Sequence, residues 1–122
     1  MLPSQLNTAA GIVKHLRWVE HYWFEVALSG RSSRAPYTRE DPDADWRLEP
    51  GETISGLIAD YAEQCAVSRE LVAGLDLDHE VVFRGDKRLS VRWVLIHMIE
   101  ETGRHAGHLD VVRELLDGVT GE

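Results

Sequence analysis

The chain has very little cysteine and no long apolar run. Cys65 is the single cysteine among 122 residues, so no disulfide can form within the chain. No stretch approaches the roughly 18 uninterrupted apolar residues of a membrane-spanning helix, and the N-terminal residues lack the basic and apolar regions of a signal peptide. These absences argue against a disulfide-stabilised scaffold and a membrane protein, and the cytoplasm is the expected location.

Positive charge is also scarce. The chain has 13 Lys and Arg against 21 Asp and Glu, which gives a formal net charge of -8. Phosphate backbones and anionic membrane surfaces bind clustered Lys and Arg, so neither nucleic acid nor a membrane is expected as a partner. The sequence also contains no Gly-rich phosphate loop, no nucleophile elbow and no paired-cysteine zinc motif.

The residues that are present predict a helical protein. Hydrophobic residues make up 43% of the chain, a globular composition, and the length suits one domain over residues 1–122. Apolar residues recur at three- and four-residue spacing over about residues 6–29, 53–73 and 90–117, the pattern of helices with one buried face. Three long amphipathic helices predict an all-α, up-and-down helical bundle.

The ends and inner faces of these helices can also be predicted. Thr53 and Ser90 are expected to cap the second and third helices, and Gly118 is expected to end the third. The inner stripe of the second helix is expected to include Ile54 and Ile58, which we therefore predict to be buried.

Two connections join the helices. Residues 31–52 form a long polar loop, which fits either a solvated crossover or a functional loop. Its acidic part, residues 40–45, is expected to be solvated. Trp46 fits either a loop anchor or the cap of a pocket. In the second connection, residues 81–83 are expected to be extended ahead of a turn at Gly85.

Polar residues on the apolar face of the third helix are the main chemical signal. His105 projects near the middle of that face, and Glu101 lies one turn before it. A buried ionised carboxylate is costly unless it is paired or bound to a metal, and an imidazole at i+4 can share an ion with it. The same spacing fits a buried acid–imidazole pair without metal, so both interpretations stay open.

Geometry limits the other candidates. His97 and His105 start about 12 Å apart along the helix axis, so they cannot easily bind one ion, and His108 falls toward the edge of the apolar face. A third ligand has to come from another segment. His15 flanks the stripe of the first helix, whereas His21 points away from it and His79 lies in a connecting loop; pattern alone makes His15 only the best of these three.

Three segments then carry a resemblance: GIVKHLRWVEHYWF, WRLEPGET and SVRWVLIHMIEETGRHAGHLDVVREL. Together they resemble the DinB-like superfamily of four-helix bundles, and within it the actinobacterial branch with the N-terminal domains of mycothiol-dependent maleylpyruvate isomerases. The resemblance implies a divalent metal held by His15, Glu101 and His105. Many members have His-x-x-x-His on the last helix and end it with His-Arg-Gly-Gln. This chain departs from both, which leaves the role of His108 open.

The resemblance also implies a function. We expect an enzyme, a metal-dependent S-transferase or isomerase that uses a low-molecular-weight thiol such as mycothiol. Zinc is the expected metal, with nickel and iron as alternatives. His108 or His97 would act as a base, and the loop around Trp46 would border the thiol and substrate site. Two alternatives stay open: a non-catalytic ligand-binding or dimerisation module, and a metal-dependent hydrolase.

One departure from the family concerns architecture. Its members usually carry another long helix before the KHL segment, but here Met1 comes only 14 residues before His15. We therefore expect the usual first helix to be absent or replaced by something short. Such a chain would have an open groove, and a second copy is expected to fill it and form a homodimer with a large apolar interface.

Overall fold

The computed structural model describes the backbone of residues 2–117 and the side chains of residues 9–115. Its long helices are α1 (Leu2–Glu20), α2 (Ile54–Val72) and α3 (Val91–Asp117), and α1 continues directly as a π-helical segment, His21–Leu28. Two short strands, β1 (Glu80–Phe83) and β2 (Lys87–Ser90), precede α3. A mostly helical fold is therefore confirmed. The small sheet departs from a purely α fold, and residues 2–117 do not form a complete four-helix bundle.

The predicted helix starts are confirmed by their caps. The Thr53 hydroxyl accepts a hydrogen bond from the backbone N–H of Gly56 at 3.0 Å, and the Ser90 hydroxyl accepts one from Trp93 at 3.1 Å. Each bond satisfies a backbone donor in the first helical turn that has no partner within the helix. The expected stop at Gly118 lies outside the described residues.

The two strands form an antiparallel hairpin that leads directly into α3. Glu80 pairs with Ser90, and Phe83 pairs with Lys87. Arg84 and Gly85 have φ angles of 52° and 81° in the connecting turn, a left-handed conformation that Gly85 adopts without steric cost. The extended segment expected at residues 81–83 and the turn at Gly85 are thus both confirmed.

The helix α1 lies at the centre of the molecule, and α2 and α3 both pack against it. The π-helical segment that continues α1 also packs against α2, α3 and β1. This packing explains why one sequence-based expectation is wrong. His21 was expected to point away from the buried stripe, yet it is 0% exposed. A helix that is covered on several sides has no free face, so a single apolar stripe underestimates what it buries.

A hydrophobic core joins the π-helical segment, the hairpin and the first half of α3. The buried residues of this cluster are Phe24, Leu28, Leu89, Val91, Val94 and Met98. Because Leu89 lies in β2 and Val91 begins α3, the hairpin holds the start of α3 against the centre of the fold. Over residues 2–117, each helix is too short or too polar to cross a lipid bilayer.

An open groove runs between α2 and α3, which scarcely meet each other although both pack on α1. Its volume is about 620 Å³, and Phe24, Val72 and Met98 are among the apolar residues that line it.

Ile54 and Ile58, predicted to be buried, are 43% and 51% exposed. The prediction is wrong for this chain in isolation, since the apolar face of α2 is wider than the surface that α1 covers.

Candidate metal centre

Three potential metal ligands meet between α1 and α3. His15 comes from α1, and Glu101 and His105 come from α3. One ligand atom from each residue can be chosen so that all three lie within 4.8 Å of one another. Glu101 and His105 are one turn apart on the same helix, and His105 Nε2 lies 3.5 Å from Glu101 Oε2. The packing of α3 on α1 brings His15 to this pair.

A loop carboxylate fixes the orientation of His15. Asp45 Oδ2 lies 2.7 Å from His15 Nδ1, and Asp45 is only 4% exposed. A carboxylate accepts hydrogen bonds, so Nδ1 carries the hydrogen and His15 Nε2 is the nitrogen left with a free lone pair. Histidine ligands of metals usually donate their other ring N–H to a carboxylate in this way.

The aromatic ring of Trp46 covers His15. The two rings are stacked, with centroids 3.9 Å apart and an interplanar angle of 15°, and Trp46 also lies edge-on to His105 at 5.6 Å. Gly11 on α1 makes this approach possible, because a Cβ atom there would lie 2.3 Å from the backbone carbonyl oxygen of Trp46. A glycine at this position therefore lets the loop sit directly on α1.

Charged contacts anchor the rest of the loop. Lys14, which is 5% exposed, donates hydrogen bonds to the carbonyl oxygen of Arg47 at 2.7 Å and to Glu52 Oε1 at 2.9 Å. The Arg47 guanidinium also donates hydrogen bonds to both carboxylate oxygens of Asp41. The acidic part of the loop was expected to be solvated. That expectation is wrong at Asp45, which is buried against His15.

The surroundings of His105 favour its neutral form. Burial lowers the pKa of its imidazole, and the neighbouring His15 lowers it further, although Glu101 acts in the opposite direction. A neutral imidazole is required for metal binding, because the protonated ring has no free lone pair. Two imidazole nitrogens and one carboxylate oxygen match the donor set of sites that bind zinc or related metals.

One contact of Glu101 would compete with a bound metal ion. The Arg104 guanidinium lies 3.0 Å from Glu101 Oε1, on the carboxylate oxygen that does not face His105. Arg104 is mostly solvent-exposed, so its side chain can move away with little loss of packing. The donor set therefore fits a divalent ion, with Glu101 as the side chain whose partners would have to rearrange.

The two histidines expected to be catalytic lie outside the group of three ligand candidates. The His97 ring stacks on Trp93 with a centroid distance of 4.7 Å and packs edge-on against Trp23 at 4.9 Å. His108 is exposed on α3. The structure thus brings together His15, Glu101 and His105, and it does not bring His97 or His108 into that group.

His21 belongs to a separate buried network. Its Nδ1 atom lies 2.8 Å from Glu25 Oε2, and its Nε2 atom accepts a hydrogen bond from the backbone N–H of Arg34 at 3.0 Å. Gln64 donates a second hydrogen bond to Glu25 at 2.8 Å. Both ring nitrogens of His21 are already occupied, so this histidine is not available to a metal.

A pocket of about 240 Å³ opens beside His15. Two of the residues that line it, His15 and Asp45, are hydrogen-bonded to each other. The remaining walls are mainly aromatic: Trp18, Tyr22, Trp23, Tyr37 and Trp46. Sequence reasoning identified Trp46 but missed Asp45 and Tyr37; their position in a loop next to Trp46 was the available signal.

Comparisons with known proteins agree with this picture. A family model described as mycothiol-S-transferase matches residues 1–118. No curated protein and no solved structure gives a significant match. The family match therefore covers nearly the whole chain and includes every residue of the candidate metal centre.

Proposed function

Because the chain belongs to the mycothiol-S-transferase family, which confirms the DinB-like resemblance, we propose that it is a metal-dependent enzyme that transfers mycothiol to an electrophilic substrate. In such a transfer the thiol sulfur bonds to a substrate carbon, the leaving group departs with its electron pair, and the thiol proton passes to solvent. The observation that carries the proposal is that His15, Glu101 and His105 each offer a ligand atom, and these three atoms lie within 4.8 Å of one another.

The donor set supports a resident divalent ion at His15, Glu101 and His105. Zinc is the metal that we propose, with nickel or iron as alternatives for two imidazoles and one carboxylate. A bound ion with open positions supplies Lewis acidity, which lowers the pKa of a coordinated thiol and makes it nucleophilic near neutral pH.

The protein's own groups have distinct parts in this proposal. Asp45 holds His15 in the tautomer that leaves Nε2 free, and the stacked ring of Trp46 excludes water from one side of His15. His108 follows His105 by three residues on α3 and is exposed, so it is the better placed of the two proposed bases to exchange a proton with solvent. His97 instead packs against two tryptophan rings, those of Trp23 and Trp93.

Cys65 is not a candidate for the nucleophile. Burial raises the pKa of its thiol, and the neighbouring Glu20 carboxylate raises it further. A thiol with a raised pKa is a poor source of thiolate at neutral pH. The nucleophilic sulfur is therefore proposed to come from the small thiol and not from the chain.

We also propose that a second copy of the chain covers the groove between α2 and α3. Both walls contribute apolar side chains: Val72 lies on α2, and Leu95, Met98 and Ile99 lie on α3. Ile99 is 73% exposed. A groove between two long helices can accommodate a helix of another chain. A twofold dimer forms when the same self-complementary surface of each copy meets that of the other. This groove also supports a second candidate function, a non-catalytic dimerisation module.

The deciding experiment measures metal and thiol dependence together. Metal content by plasma mass spectrometry is compared for wild type and for the variants His15→Ala, Glu101→Ala and His105→Ala, with His79→Ala as the matched control. Wild type and the control should retain about one ion per chain, and the three variants should lose it. Wild type and the control should also conjugate mycothiol to an electrophile, and the three variants should lose this activity. A folded, metal-loaded protein without thiol-dependent turnover would favour the dimerisation module.

A further inference from the structure

The pocket beside His15, which we call the aromatic pocket, has walls suited to stacking. Within its volume of about 240 Å³, the side chains that face it are mostly flat rings. Pockets that enclose drug-sized ligands are usually about 300–1,000 Å³, so this one suits a small ring or one part of a larger molecule. His15 belongs both to this pocket and to the candidate metal centre, so a group bound here would contact one of the three ligand candidates.

Some polar groups of the aromatic pocket already have hydrogen-bond partners. Asp45 Oδ2 is engaged with His15 Nδ1 at 2.7 Å. The Tyr22 hydroxyl accepts a hydrogen bond from the Arg84 guanidinium at 2.9 Å. A polyhydroxylated ligand needs many hydrogen bonds to replace those it loses to water, whereas a flat ring needs mainly apolar surface.

The charge beside the pocket selects against ions. A divalent ion held at His15, Glu101 and His105 would offset the negative charges of Glu101 and Asp45, and the exposed Arg104 guanidinium lies on the outer oxygen of Glu101. The pocket would therefore carry no excess negative charge that could attract a cation. Burial raises the pKa of the Tyr37 hydroxyl, and the nearby Asp45 carboxylate raises it further, which keeps Tyr37 neutral at physiological pH. A neutral ring loses little hydration on entering this pocket, whereas a buried ion would lose hydration without a partner of opposite charge.

We propose that the aromatic pocket binds a neutral, planar, unsaturated ring of the electrophilic substrate, and that Tyr37 and Trp46 form two of the walls that select it. This inference rests on the proposed function, since it assigns the second substrate of that reaction. Ring stacking sets which electrophiles are held close to His15. The thiol occupies the open side of the metal centre.

The test uses three small probes and measures their binding by calorimetry and by ligand-observed nuclear magnetic resonance. The probes are 2-naphthol, a neutral flat ring; tetramethylammonium, a cation that aromatic cages also attract; and myo-inositol, a polyol. In metal-loaded wild type, 2-naphthol should bind the most tightly. Tighter binding of tetramethylammonium or myo-inositol would overturn the proposal.

Variants at Tyr37 identify the pocket. Tyr37→Ala should weaken 2-naphthol binding by about three- to tenfold, the effect of one lost aromatic pair, and Tyr37→Leu should do the same while filling the space. Tyr37→Phe keeps the ring and should stay within about twofold. Tyr61→Ala is the matched control, because this half-buried tyrosine lies on α2 outside the pocket. Equal binding by wild type and both Tyr37→Ala and Tyr37→Leu would contradict the assignment.

The same measurements separate this inference from the proposed function. Binding of 2-naphthol is repeated on Glu101→Ala and on protein treated with a chelator. Ring binding that depends on Tyr37 in a protein without thiol-dependent turnover would support the pocket and reject the transferase. Turnover that is unaffected by Tyr37→Ala and Tyr37→Leu, together with no binding of 2-naphthol, would support the transferase and reject the pocket.

Discussion

Asp45 Oδ2 lies 2.7 Å from His15 Nδ1, so a carboxylate from the long loop holds a histidine of the central helix. The hydrogen bond joins residues that are 30 positions apart in the chain. Solvent hardly reaches the carboxylate in this hydrogen bond, since the Asp45 side chain is only 5% exposed. The contact turns a loop that looks solvated in the sequence into a support for the candidate metal centre.

The first prediction follows from this contact. Asp45→Asn should weaken zinc binding by about 10- to 100-fold, because the amide cannot reproduce the carboxylate's effect on the basicity and orientation of His15. Zinc affinity is measured by competition with a chromophoric chelator. Asp41→Asn, at an exposed pair with Arg47 in the same loop, is the control and should leave the affinity unchanged. Equal affinities for Asp45→Asn and wild type would remove Asp45 from the site.

The second prediction concerns the effect of metal on stability. Zinc at about 100 times its dissociation constant should stabilise the folded protein by roughly 2.7 kcal/mol, because the ion binds only the assembled site. The thermal midpoint of wild type should therefore rise by several degrees on addition of zinc and fall back with a chelator. His105→Ala should show no such rise, whereas His79→Ala should behave like wild type. A similar rise in all three proteins would indicate binding elsewhere.

The third prediction is a dependence of stability on acid pH. Burial raises the pKa of the Glu25 carboxyl, but hydrogen bonds from His21, Gln64 and Arg31 outweigh burial and lower the pKa from 4.5 to about 2. A lowered folded-state pKa means that this stabilisation is complete above about pH 4.5 and is lost as the pH falls toward 2. The shift corresponds to roughly 3 kcal/mol at most.

Urea unfolding at pH 7 and at pH 3 measures this effect. Glu25→Gln should be less stable than wild type at pH 7, and the difference between the two proteins should shrink at pH 3. A difference that stays constant between the two pH values would show that the charge of Glu25 does not contribute.

The fourth prediction tests the close approach of the loop to α1. Gly11→Ala should lower the free energy of unfolding by about 1–3 kcal/mol, since its Cβ would lie 2.3 Å from the Trp46 carbonyl oxygen and force the backbone apart. The same change should weaken zinc binding, because Trp46 and Asp45 move with the loop. Gly107→Ala is the control: its Cβ meets nothing within 4 Å, so the helix should be unchanged or slightly more stable. Chemical unfolding and zinc titration measure both effects.

The fifth prediction addresses the groove. Size-exclusion chromatography with light scattering should find wild type as a dimer at micromolar concentration. Ile99→Asp should give monomer, because it places a charge in the apolar interface that we propose. Val82→Asp is the matched control, since Val82 is 64% exposed on β1 and does not line the groove. A monomeric wild type would rule out the second copy as the covering partner.

The order of elements and the ligand pair on α3 could be predicted from the sequence. Apolar spacing gave the three helices, and Thr53 and Ser90 marked two of their starts, because capping depends on residues only three positions apart. Glu101 and His105 were recognisable because the helical repeat fixes their relative position. His15 was identified with them through the family resemblance, and pattern alone only ranked it above two other histidines.

Other features depended on the tertiary structure. Asp45 could not be assigned to His15, because nothing local in a 22-residue loop tells which side chain reaches a helix 30 positions earlier. His21 was wrongly placed because a central helix is buried on several sides, which a single apolar stripe does not express. Ile54 and Ile58 were expected inside, and only the packing of α2 shows that their side chains are exposed to solvent.

The sequence by itself therefore determined the helices, their caps and the one-turn spacing of Glu101 and His105, all of which follow from interactions within a few residues. The tertiary structure decided which loop side chain supports His15, which rings surround the aromatic pocket, and which apolar face of α2 stays exposed. These depend on how distant segments pack, and packing is a property of surfaces that come together only when the whole chain has folded.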